Sequence, residues 1–171
     1  MYLTGALHVA LALVALVSGL VMVVMRKGTL RHRKIGWVYA VSMLGLNATA
    51  LLIYRLFGGF GPFHVAALVS LLTIIAGLIP AVRRRPRRKW LEHHAYWMTW
   101  SYVGLVAATV SEVTTRVPAS PFWWMVFGST LVVIAGGRHL INSRVPIALQ
   151  RIRGRPAIDR SRPDAGANRA V

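Results

Sequence analysis

Residues 4–25 form a run of 22 positions without a single Lys, Arg, Asp or Glu. At 1.5 Å per residue a helix of that length spans about 30 Å, the hydrocarbon thickness of a bilayer. A secretory signal would open on basic residues, carry a shorter apolar core and end at a small-residue cleavage site. Met1-Tyr2-Leu3 has no basic residue and the run ends in Arg26-Lys27, so the segment reads as a retained membrane helix. Four further apolar runs follow, at about 35–56, 63–82, 95–116 and 122–143. The connectors between them (26–34, 57–62, 83–94 and 117–121) are short enough to force antiparallel neighbours.

Composition agrees with this pattern. Hydrophobic residues make up 56% of the 171 and charged residues only 15%, with a mean hydropathy of +0.54. A soluble domain is usually about one quarter charged. The expected fold is therefore all-α: a polytopic bundle of five transmembrane helices over residues 1–143. Residues 144–171, with Pro146, Pro156, Pro163 and scattered Arg, read as a basic, disordered cytoplasmic tail. The absence of cysteine removes disulfides, thiolate metal sites and a cysteine nucleophile.

The net charge of +17 first suggests nucleic acid, but its distribution points to membrane anchoring instead. The first connector holds Arg26, Lys27, Arg31, Arg33 and Lys34, the third holds six basic residues from Arg83 to Lys89, and the tail carries seven Arg. The second and fourth connectors hold none. With five spans these basic segments share one side, and the positive-inside rule puts that side in the cytoplasm, N-terminus out and C-terminus in. The expected location is a bacterial inner membrane, multi-pass. Anionic headgroups are the expected partners of the basic face, with a membrane-protein partner or a second copy on the small-residue helix faces and no nucleic acid.

Those faces recur at spacings of three and four. They comprise Gly5, His8, Ala12, Ala15, Gly19 and Met22 on the first helix, and Gly36, Ala40, Met43, Asn47 and Ala50 on the second. The third offers Ala66, Ser70, Thr73 and Gly77. The fourth offers His94, Trp97, Ser101, Gly104, Ala108, Ser111 and Thr115, and the fifth Met125, Gly128, Val132, Ala135, His139 and Asn142. On this reading His8, His94 and His139 point into the bundle.

Polar groups inside a membrane tend to mark function. Here they fall into an outer layer (His8, His64, Glu112, with Tyr54 nearby) and an inner layer (His32, His93, His94, His139). Two imidazole layers are what a transmembrane cytochrome with two haem b groups requires, with His8 and His64 outside, His94 and His139 inside, and His32 as alternate inner ligand. His8, His64 and Glu112 also make a plausible N,N,O set for a divalent metal. A rival from another class is a proton-linked or solute-translocating module with Glu112, His8 and Asn47 along a polar path. A third is a non-catalytic assembly or scaffold subunit. Simpler roles exist for the same residues: His32 between Arg31 and Arg33 suits a lipid phosphate, and Arg116 one turn beyond Glu112 suits a local ion pair. No nucleophile–base pair stands out.

One order of motifs carries a resemblance. Gly5-Ala6-Leu7-His8 is followed by His32-Arg33-Lys34-Ile35-Gly36-Trp37-Val38-Tyr39, then Phe60-Gly61-Pro62-Phe63-His64, then His94-Ala95-Tyr96-Trp97-Met98 with Ser101-Tyr102. Over about residues 5–116 this resembles the bacterial predicted membrane proteins catalogued as domain of unknown function 2306. By that resemblance His8, His32, Arg33, Gly36, Tyr39, His94 and Met98 match recurrent positions. Many relatives carry Arg two residues after the Met, where this chain has Trp100. The resemblance implies a helical membrane protein and no defined activity.

Overall fold

The computed structural model describes residues 2–54, 58–86, 89–116 and 121–153. Five helices stand where the five apolar runs lie: α1 (Tyr2–Val24), α2 (Leu30–Leu51), α3 (Pro62–Arg83), α4 (Trp90–Thr114) and α5 (Phe122–Arg153). Three segments are long and apolar enough to cross a membrane: Leu3–Val24, Pro62–Arg83 and Phe122–Ile152.

Local chemistry sets the ends. Lys27 donates from Nζ to the carbonyls of Met22, Val23 and Met25 at 2.6, 2.6 and 2.9 Å, satisfying orphan acceptors at the end of α1. Burial pushes its ammonium below the ordinary lysine value. Gly28, at φ +79°, takes the left-handed turn, and Thr29 Oγ1 then accepts from the His32 N–H at 3.1 Å to start α2. That cap explains why α2 opens five residues ahead of the apolar run at Ile35. It closes at Leu51, short of the expected residue 56. Pro62 sits in the first turn of α3, where its missing N–H matters least. Pro86 O accepts from the N–H groups of Lys89 and Trp90, so α4 also begins ahead of its apolar run.

Helix α1 packs on α2, α2 on α3, α3 on α4, and α4 back on α1. The first four helices thus close a ring, and among the described residues its diagonals, α1/α3 and α2/α4, have no Cα atoms within 8 Å. Ala15, Tyr39, Met43, Leu46, Ile74 and Leu105 fill the centre, drawn from all four helices. Helix α5 packs on α4 alone. Ser111 Oγ reaches Ser129 Oγ and Thr130 Oγ1 across that seam, both at 2.9 Å.

Two expectations for α5 need correction. It continues past Ser143 and through Pro146 to Arg153. Its last turns bury Ile141, Val145 and Leu149 against Leu91, Ala95, Tyr96, Trp100 and Val103. Close packing of these side chains on α4 offsets the roughly 3 kcal/mol that an interior proline costs a helix. The expected tail from 154 onward lies outside the described residues. The packed face is also rotated from the expected one: Gly128, Val132, Ala135, His139 and Asn142 are exposed, and the buried stripe is Gly137, Ile141, Val145 and Leu149. Where α4 presents a matching surface decides the face, as Val103 does for Gly137, whatever the distribution of small residues.

Candidate functional site

The ring holds imidazoles at both ends. At one end, His8 Nδ1 lies 3.0 Å from Thr49 Oγ1. The single Thr49 hydroxyl proton is directed at the carbonyls of Gly45 and Leu46, at 3.0 and 2.9 Å, so Thr49 accepts from His8 Nδ1–H. The neutral ring then keeps its lone pair on Nε2. His64 is 4% exposed and makes the opposite choice. Its Nδ1 accepts from the Gly61 N–H at 3.1 Å, which puts the proton on Nε2. That Nε2 is buried without a hydrogen-bond partner. The Tyr54 and Phe60 rings lie against it, with centroids at 4.6 and 5.1 Å.

At the other end, His94 Nδ1 is 2.9 Å from Gly77 O. A carbonyl only accepts, so His94 carries its proton on Nδ1 and presents the lone pair at Nε2. His32, at the same end on α2, lies within electrostatic reach of it. Its Nδ1 is buried and unpartnered. An unsatisfied buried polar atom costs about 1–3 kcal/mol and calls for an explanation. Among the described residues only two side-chain atoms are in that state, and each belongs to a histidine on a different diagonal.

Between the layers Tyr39 OH meets Ser101 Oγ at 2.8 Å, and Tyr102 OH donates to Leu16 O at 3.3 Å. The two tyrosine rings meet edge to face with centroids 6.3 Å apart.

The remaining candidates do not join these clusters. His139 is exposed on α5, which lies outside the ring and apart from the inner histidines. His93 is exposed as well. Glu112 lies within electrostatic reach of His8 but pairs with Arg116 at 2.6 Å, both side chains more than half exposed. His8, His64 and Glu112 therefore do not assemble a metal set, and among the described residues no three His, Asp or Glu side chains do. Asn47 is buried and donates to Met43 O of its own helix at 2.9 Å. Tyr54 is 46% exposed beside His64.

Thr49 and the Gly77 carbonyl, which orient His8 and His94, went unnoticed in the sequence. A usable signal was there. In an antiparallel hairpin, residues equidistant from the turn meet. His8 and Thr49 stand at nearly equal distances from Gly28, and Gly77 and His94 at equal distances from the Arg85-Pro86 bond.

The family model described as "Predicted membrane protein (DUF2306)" matches residues 5–149. The chain belongs to this family. The match runs beyond the motifs read from the sequence and ends at Leu149, the last buried residue of the α4–α5 seam, so the DUF2306 unit comprises the four-helix ring and the helix on its flank. No curated protein and no solved structure matches the chain.

Proposed function

We propose that this DUF2306 protein crosses a bacterial cytoplasmic membrane five times, N-terminus out, and is a b-type cytochrome. Its inner ligands are His32 and His94, and its outer ligands are His8 and His64. The supporting observation is the diagonal arrangement: each end of the ring carries one histidine from each of two helices whose backbones stand apart, and each pair includes a buried ring nitrogen without a partner. Two imidazoles are too few for a protein-only metal cage but suffice for haem, whose porphyrin supplies the other four ligands.

The residues fit this group unevenly. His94 is already in the tautomer a ligand needs, with Nδ1–H held by a carbonyl and Nε2 free, and His32 offers an open buried nitrogen opposite. His8 is likewise ready. His64 would have to exchange tautomers and leave Gly61 before binding through Nε2, so the outer pair is the weaker site. Haem bound at these positions would accept and release one electron at a time. His32 and Thr49, at the two layers, lie seventeen residues apart on α2, about 25 Å. That separation matches electron transfer from one membrane face to the other.

The test is a visible spectrum of the full chain purified from haem-replete cells. A Soret band with an α band that sharpens on dithionite reduction is expected, at two haems per chain by pyridine haemochrome. One haem per chain would remove the outer site. No band after haem reconstitution would overturn the reading. Topology has its own test: alkaline phosphatase fused after Val171 should be inactive and a fluorescent protein there should shine, and the reverse would overturn the five-span assignment.

A further inference from the structure

The basic α3–α4 connector holds a cleft of about 600 Å3 that has no part in the histidine layers, lined by Ile79, Arg83, Arg85 and Pro86. Arg84, at φ 51°, turns the chain at the end of α3, leaving Arg83 and Arg85 on either side of the turn. Both are exposed, and neither has a carboxylate partner among the described residues. Ile79, 45% exposed, stands one helical turn before Arg83 on the same face. The cleft thus changes from apolar to cationic along the axis of a helix long and apolar enough to span a membrane.

We propose that this cleft is a headgroup site for an anionic phospholipid, with the phosphate between Arg83 and Arg85 and the start of an acyl chain against Ile79. Guanidinium groups bind phosphate oxygens with paired hydrogen bonds, and two unpaired ones at a helix end attract a negative charge of that kind. An inorganic phosphate would satisfy the arginines but leave Ile79 without a partner, and for that reason the geometry points to lipid. The inference is independent of the haem reading.

Native mass spectrometry of the delipidated full chain, offered equimolar dioleoyl phosphatidylglycerol and dioleoyl phosphatidylcholine, tests it. Phosphatidylglycerol adducts should dominate. The R83Q/R85Q variant should bind that lipid about thirtyfold more weakly, a factor of about five for each charge near the headgroups. R116Q, which removes a cation at the opposite end of the bundle, should bind as the parent does. Millimolar inorganic phosphate should not displace the lipid. Displacement by phosphate would assign the cleft to a soluble phosphate and overturn the lipid. Equal binding by R83Q/R85Q, or loss in R116Q alone, would also overturn it. If R83Q/R85Q fails to fold, the parent's preference between the two lipids decides: a ratio of one sinks the proposal.

Discussion

His94→Ala and His32→Ala should each lower haem content from two per chain to about one, while His139→Ala leaves it at two. The first two residues lie at the same end of the ring on α4 and α2, within electrostatic reach, and His139 is exposed on the flanking helix. Losing either imidazole would leave a haem there short of one nitrogen ligand, and among the described residues no group of three His, Asp or Glu side chains offers a replacement. The remaining haem should be the outer one, and His8→Ala should give the complementary loss. A milder variant checks that the effect is ligation and not collapse. Thr49→Val removes only the acceptor that orients His8, and loss of such a supporting hydrogen bond typically weakens binding 10–100-fold. It should lower outer-haem affinity and leave the inner spectrum unchanged. Full haem content in both His94→Ala and His32→Ala would end the inner-site assignment.

Gly19→Leu should abolish accumulation of folded protein, whereas Leu20→Ala should be close to neutral. A Cβ on Gly19 would run into the Tyr102 ring and crowd Tyr39, whose hydroxyl is held by Ser101. Tyr39 is 2% exposed and has no room to move, and the partly buried Tyr102 is tethered through its hydroxyl to Leu16 O and packed against the core. Overpacking a tight site costs about 1–3 kcal/mol for added methylenes, and a whole isobutyl group against two fixed rings lies at or beyond the top of that range. Leu20, about 100° around the helix from Gly19, is 56% exposed and loses little on truncation. Monodisperse yield in detergent compares the two. Adding Tyr102→Ala to Gly19→Leu should recover part of the loss by vacating the space. Equal yields for the single variants, or no recovery in the double, would show that this interface is not where α1 and α4 meet.

The same two regions show how far the sequence could be read. On α1 and α2 the spacing of small residues found the buried face, because Ala15, Gly19, Ala40 and Met43 all belong to it. On α5 the same rule chose the wrong face. The first pair of helices joins through one short turn, and an antiparallel hairpin leaves little freedom in which faces meet. Helix α5 has a single neighbour, so most of its circumference is free of protein contact and small residues fall on both sides. The expectation that His139 points into the bundle came from that choice of face, and the rotation of α5 leaves it exposed.

Length, apolar periodicity and one-sided charge are properties of segments, and they determined the number of helices, their antiparallel order and the family motifs. Those terms are set by burial and backbone hydrogen bonding within each segment, so no distant residue is needed to know them. Which histidines face each other was decided only by tertiary structure. It depends on the closure of α4 onto α1, a contact between helices separated by two others in the chain, and on the rotation of each helix about its axis. A rotation of one residue, about 100°, turns an imidazole from the ring interior to the outside without altering the pattern of the segment that carries it.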